Sequence, residues 1–358
     1  MAANKVLIHA PFLPKGGVFN AEARDSYFQP FIYLRERLRS LDYALEMSDD
    51  YSVRDCAWVW FFDAVSIGPE QGLAWWKKLY KTVMETPQPR NLYRECLAEG
   101  MQGRIVLFLW EAPATGSANW NLELHKLFPL IFTWNDKYVD GRKYIKFHWP
   151  QTDQFPIVPK IPLMGRKLLV NISMNKSASH PQELYSARRA SIRHFERTQP
   201  NNFDLYGVGW NRPTNLWEKV LPFTRIVYSS YRGTVQNKWD VLPCYRFSLC
   251  YENIRDEPGW VTEKIFDCMR ARCVPIYWGA PNITDYVDAE AFIDRRRFRS
   301  DADLEAYLLG ITEQEYERYQ EAMQDYLRSE RFAKFLPPAF ADTIIGALGL
   351  ADGAGRTN

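Results

Sequence analysis

Four polar residues, Glu252, Asn253, Glu263 and Lys264, have the types and spacing to hold an anionic ligand that carries vicinal hydroxyls. Lys264 falls in the first turn of a helix, where a cation opposes the macrodipole and costs ~0.3–1 kcal/mol if nothing answers it. An anion bound at that helix start would reverse the sign, because free N–H groups and the ammonium then act together. Glu263 does not complete a capping box, since a Thr262 N-cap would need its carboxylate at position 265, which is Ile. A carboxylate with no capping role at a sheet edge is instead suited to accept two hydrogen bonds from a ribose diol. An ordinary solvated first turn is the competing reading of this pair.

The elements that must position these residues lie in RFSLCYENIRDEPGWVTEKIFDCMRARCVPIYWGAPN, residues 246–282. An apolar strand over 247–251 and a second over 274–278 flank a helix from about Val261, marked by Val261, Ile265 and Met269 at four-residue spacing. Strand, helix and strand at this length make a βαβ unit, and ligands bind such sheets at the carboxyl ends of the strands. The first half alternates in the same way. Strands are expected at 5–10, 57–62, 105–110, 130–133 and 144–148, with helices at 31–38 and 72–84. Glu111 follows the strand at 105–110, again at a carboxyl edge, and opens the loop EAPATGSANWN. A carboxylate there suits proton abstraction from a hydroxyl; a loop Glu that caps the next helix or pairs with Arg104 is the plainer reading.

Composition bounds the rest. A chain of 358 residues with 46% hydrophobic and 25% charged residues makes two ordinary globular domains. A net charge of +2 leaves no nucleic-acid footprint. The six cysteines form no CxxC pair and read as reduced core thiols of a cytosolic protein. The five histidines are isolated and Asp49-Asp50 is not a D-x-D site, so no metal is expected. The N-terminal apolar run is too short for a signal peptide or a membrane anchor. Four prolines between 148 and 167 make a stiff linker, with a boundary near 159–165. A helix is expected from about Gln182 with Ser179 as N-cap. Arg189, Arg193 and Arg197 line one of its faces at four-residue spacing. The turn GVG at 207–209 lacks the third glycine of a dinucleotide fingerprint, which disfavours an oxidoreductase. Arg295, Arg296, Arg297 and Arg299 form a basic run suited to an anionic membrane or simply to solvent.

YRFSLCYEN, GWVTEKIFDCMRARCVPIYWGAPN and FLWEAPATGSANWN together resemble glycosyltransferase family 10, the α-1,3/4-fucosyltransferases. The resemblance implies an α/β, GT-B-like fold of two facing Rossmann-like domains with a cleft between them. Residues 1–160 would be the acceptor-binding domain, 161–340 the donor-binding domain, and 341–358 a tail disordered beyond Leu350. It implies GDP-fucose as donor, with Lys264 and either Arg188 or Arg189, here Arg189, on the diphosphate. Glu263 would hold the ribose and Glu252 with Asn253 the fucose. Tyr231, Lys238, Trp260, Val261 and Thr262 would complete the donor site, Trp260 standing where the family usually has Tyr. Glu111 becomes the base of a single inverting, metal-independent displacement onto a hydroxyl of an oligosaccharide or glycoconjugate. Trp120 and Trp134, with Trp149, are the expected acceptor-facing platforms. The family's animal members carry an N-terminal anchor; the short apolar start seen here implies a bacterial-type enzyme, cytoplasmic or peripheral on the cytoplasmic membrane face. Two competing readings stand beside it: a transferase of the same fold using another nucleotide sugar, and a non-catalytic nucleotide-sugar or glycan-binding protein.

Overall fold

The computed structural model describes residues 4–13, 17–54, 56–67, 90–212 and 227–350. The chain divides into two compact units, one of Met1–Ala23, Phe28–Pro150 and Pro337–Asn358, the other of Arg24–Tyr27 and Gln151–Leu336. The helix expected at 72–84 and the tail beyond Leu350 lie outside the described residues.

The first unit is built on β1 (Asn4–His9), β2 (Tyr43–Met47), β3 (Cys56–Phe62), β4 (Ile105–Leu109), β5 (Leu130–Thr133) and β6 (Tyr144–Lys146). All pair in parallel in the order β2-β1-β3-β4-β5-β6. Every residue of β4, IVLFL, is buried, as a strand covered on both faces requires. Its helices include α1 (Gln29–Arg39), α2 (Leu92–Ala98) and α3 (Leu122–His125). In α1, Phe31, Leu34 and Leu38 recur at helical spacing and are buried, and Pro30 occupies the first turn, where its missing N–H costs least.

The second unit carries β7 (Lys167–Ile172), β8 (Phe203–Tyr206), β9 (Tyr245–Tyr251), β10 (Val274–Trp278) and β11 (Ile293–Asp294). The order is β11-β10-β9-β7-β8, all parallel. Chain order therefore reverses between β7 and β9, and such a topological switch point opens a crevice at the carboxyl ends of the two strands. Helices α4 (Tyr185–Thr198), α5 (Glu263–Arg270), α6 (Asp301–Gly310), α7 (Glu313–Leu327) and α8 (Glu330–Ala333) belong to this unit. Thr312 and Glu315 form a capping box at the start of α7.

Three boundaries differ from expectation. Helix α4 begins at Tyr185 with no side-chain N-cap, and Glu183 accepts the Ser186 N–H at 3.0 Å in place of a cap from Ser179. The division between units falls after Pro150 rather than near 159–165, because the proline-rich stretch packs on the second unit: Gln151 N–H donates to Phe335 O (2.7 Å), Arg272 Nε to Val158 O (2.8 Å), and Arg270 lies 4.4 Å over the Phe155 ring. Residues expected as a tail from 341 are instead helical to Leu348 in α9 (Pro337–Leu348), which packs on α1 of the first unit with Phe340 5.5 Å from Phe31. Its apolar face of Phe340, Ile344, Ile345 and Leu348 has to be buried somewhere, and that requirement sets the helix.

Candidate functional site

In the second unit the carboxyl ends of β7 and β9, the first turn of α4 and the first two turns of α5 line a cavity of ≈ 50 Å³. Arg188, Lys238, Lys264 and Asp267 line it together with Cys250 and Cys268. Its volume is a fraction of the ~300–1,000 Å³ of ordinary ligand sites, so it forms a charged floor and not a whole pocket.

Glu252 organises this floor. Its carboxylate is fully buried and accepts from the Thr262 N–H (3.0 Å), the Thr262 hydroxyl (2.9 Å) and Lys264 Nζ (2.8 Å). The Thr262 hydroxyl is thereby drawn away from α5, so Thr262 occupies the N-cap position without capping. The first-turn N–H groups of α5 are left without a side-chain cap from it. An ammonium carries three donors. Lys264 uses one on Glu252 and a second on Thr262 Oγ1 (2.8 Å), while Glu263 Oε1 stands 3.6 Å away, beyond hydrogen-bond reach. Burial alone would lower the Lys264 pKa, but Glu252 and Glu263 outweigh it and hold the group up and charged. Gly279 lets the backbone pass against this carboxylate; a Cβ there would lie 2.6 Å from Glu252 Cγ.

Arg188 is the arginine at the cavity. It is buried and donates to the carbonyls of Tyr251 (2.6 Å) and Glu252 (3.0 Å). Arg189, expected there instead, points elsewhere, to Lys176 O (2.7 Å) and Ser186 Oγ (3.1 Å). Neighbours on a helix are ~100° apart, so one residue of register changes the face. Lys238 reaches the cavity and pairs with Asp267 (2.6 Å) and Asp25 (3.5 Å); burial pulls its pKa down but these carboxylates and Glu263 raise it overall. Glu263 is held low: burial would raise it, and Lys264 and Lys238 reverse the sign. Burial and Cys268 push the Cys250 thiol well up, so it is an apolar wall and not a nucleophile.

Several expected contacts are used up inside the fold. Glu252 is engaged as described and presents no open oxygen to a sugar. Trp260 and Val261 are buried, and the Trp260 carbonyl accepts the Tyr277 hydroxyl at 3.1 Å. Asn253 is half-buried, its carbonyl holding the Leu184 N–H at 3.1 Å at the start of α4. The Tyr231 hydroxyl donates to Gly207 O at 3.0 Å. Trp134 is no platform: it is 1% exposed, with its indole N–H on Trp110 O at 3.2 Å. Trp149 is likewise buried, 4.4 Å from Trp110. Trp120 is half-buried, edge-on to Trp134 at 5.0 Å and against Tyr138 at 5.7 Å. Of the six cysteines, Cys244 is exposed and the others are buried thiols.

In the first unit Glu111 follows β4 at the carboxyl edge, with its Oε2 accepting the Thr115 hydroxyl at 2.7 Å. Arg104 is occupied with Cys56 O (3.1 Å). Behind Glu111 stands Asp63, which the sequence alone marks as no more than a strand end. It is buried, in a left-handed backbone conformation (φ 59°) that Asp tolerates better than most residues. Its Oδ1 accepts the N–H groups of Trp110 (2.7 Å) and Glu111 (3.1 Å) and the Asn119 amide (2.5 Å). Burial pushes the Asp63 carboxyl up to about 7, the two backbone hydrogen bonds opposing and the Glu111 charge adding. The sequence signal available was an acid placed directly after an apolar strand that ends at the edge where ligands bind.

A model of the C-terminal part of glycosyltransferase family 10 (fucosyltransferase) matches residues 186–335. The chain is 38% identical over 66 residues to an α-(1,3)-fucosyltransferase FucT of Helicobacter pylori, covering 18% of this chain and 14% of that protein. It is 40% identical over 89 residues to an α-(1,4)-fucosyltransferase of Arabidopsis thaliana, covering 23% and 22%. The matched stretches thus span less than a quarter of either relative. Among solved structures it is similar to an α1,3-fucosyltransferase with GDP (TM-score 0.51, 13% identity, 97% of this chain and 90% of that one). It is equally similar to a T4 phage BGT mutant in complex with UDP-glucose (TM-score 0.51, 12% identity, 96% and 99%). At these identities the likeness is one of fold, and the two parallel-sheet α/β units are GT-B-like.

Proposed function

We propose that the chain is a member of glycosyltransferase family 10, whose C-terminal model matches residues 186–335, and that it transfers L-fucose from GDP-fucose to a hydroxyl of a glycan acceptor. The observation that carries this reading is the gathering of Arg188, Lys238 and Lys264 at the β7/β9 switch point, beside an α5 N-terminus that Thr262 leaves uncapped. Phosphate oxygens are the natural guests of such a floor. The third Lys264 N–H and the first-turn N–H groups take the diphosphate, Arg188 and Lys238 supply the surrounding positive field, and Glu263 takes the ribose hydroxyls. Glu111 removes the acceptor proton as the hydroxyl oxygen bonds to the anomeric carbon. The carbon–phosphate oxygen bond breaks on the opposite face, GDP departs, and configuration inverts. Cations and helix dipole together stabilise the leaving group in place of a metal ion.

The test is Glu111→Gln. General-base catalysis contributes ~10²–10⁴-fold, so kcat should fall by about that factor while GDP affinity stays near wild type. Transfer by Glu111→Gln at the wild-type rate would remove the base assignment. Ranking of nucleotide sugars by thermal shift should place GDP-fucose above UDP-sugars.

A further inference from the structure

We propose that Asp63 and Asn119 are positioning residues for Glu111, fixing the peptide from which the base projects through one shared carboxylate oxygen. The inference rests on the reading of Glu111 as the base. Glu111 opens a loop, so no strand ladder holds its own N–H. That N–H, the N–H of Trp110 and the Asn119 amide all converge on Asp63 Oδ1. Asn119 Oδ1 in turn accepts the Ala64 N–H at 2.7 Å, closing a link between the turn after β3, the end of β4 and the short 3-10 turn Ser117–Trp120. The far side is anchored too. His125 Nε2 donates to the Asn119 carbonyl at 2.6 Å, so Nδ1 of the neutral ring accepts the Tyr144 hydroxyl at 3.1 Å. Burial lowers the His125 pKa and keeps the ring in that neutral form.

Packing converges on the same point. Gly116 has an ordinary negative φ of −133°, so its need is for space and not for backbone freedom. A Cβ there would lie 2.9 Å from Asn119 Nδ2 and 3.1 Å from Glu111 Cβ. A buried carboxylate beside a second carboxylate is a costly way to tie a loop, since an isolated buried charge loses hydration. Its oxygen takes the two successive backbone N–H groups that lead into Glu111, together with the Asn119 amide.

The experiment compares kcat, donor KM and GDP affinity for Asp63→Ala, Asp63→Asn and Gly116→Ala beside Glu111→Gln. A base displaced by about 1 Å loses ~100-fold, so Asp63→Ala and Gly116→Ala should lower kcat by about that factor with donor KM and GDP affinity unchanged. Asp63→Asn keeps an acceptor oxygen for the same N–H groups and should return kcat to within about tenfold of wild type. Gly116→Ala adds one methyl in a loop and keeps the test open if Asp63→Ala fails to fold. Wild-type kcat in Gly116→Ala or Asp63→Ala, with Glu111→Gln inactive, overturns the positioning role and leaves the base assignment standing. Asp63→Asn as slow as Asp63→Ala overturns it as well. An active Glu111→Gln strikes the base assignment itself.

Discussion

Replacing Lys264 by Met should separate folding from ligand binding in one pair of measurements. Glu252 is fully buried, and Lys264 is its ion-pair partner at 2.8 Å with 27% of the lysine side chain exposed. Removing one member of a buried pair costs ~3–5 kcal/mol because the other charge stays behind. Partial exposure of Lys264 puts this case at the lower end, about 3 kcal/mol, or ~6–12 °C in Tm for a unit of this size. The double variant Glu252→Gln/Lys264→Met leaves no stranded charge and should recover most of that loss, with a coupling of ~2 kcal/mol or more. GDP affinity should behave differently. A charge-assisted hydrogen bond is worth ~1.5–3 kcal/mol, so both Lys264→Met and the double variant should bind GDP ~10–150-fold more weakly. Urea titration with calorimetric GDP binding reads both quantities. A double variant no more stable than Lys264→Met, or unchanged GDP affinity in Lys264→Met, would refute the arrangement described here.

Arg188→Ala should weaken GDP binding by more than about tenfold, the ~1.4 kcal/mol expected from one lost guanidinium near phosphate, whereas Arg189→Ala should leave calorimetric affinity unchanged; the reverse ranking would restore Arg189 to the site. Asp63 ionises near 7 when folded against 3.8 ordinarily. The folded state therefore holds a proton that the unfolded state gives up, and this contribution to stability is full below about pH 4 and lost as pH rises through 7. The stability of wild type minus Asp63→Asn should fall by up to ~4 kcal/mol across that window, and a flat difference from pH 4 to 8 would count against it.

Periodicity and strand apolarity made most of the architecture readable. The apolar runs at 57–62, 105–110, 247–251 and 274–278 all became buried parallel strands. What remained hidden depended on register and on partners distant in sequence. A start for α4 at 182 rather than 185 leaves the facing of Arg188 and Arg189 undetermined, because three residues turn a helix by ~300°. Trp134 sits beside a strand end in sequence, yet the strand-end carbonyl of Trp110 takes its indole N–H, so proximity to an edge did not mean exposure. Asp63 and Asn119 are 56 residues apart and no local pattern links them.

Lys264 shows where a correct local argument needed a tertiary partner to finish it. A first-turn cation is unfavourable by itself, and the sequence suggests an anionic ligand as the remedy. The fold supplies a remedy of its own, since Glu252 from the end of β9 already offsets the charge. The presence of Lys264 therefore does not by itself demand a ligand. What points to one is the remainder after that pairing: one ammonium N–H with no acceptor among the described residues, and first-turn N–H groups whose natural cap has turned toward Glu252. Glu252 thus holds Lys264 in place beforehand, so the diphosphate of the proposed donor would meet an ammonium whose orientation has already been fixed. On the proposed function, binding of a leaving diphosphate accounts for a buried acid, a hydroxyl and a lysine standing at a helix start that one serine could have capped.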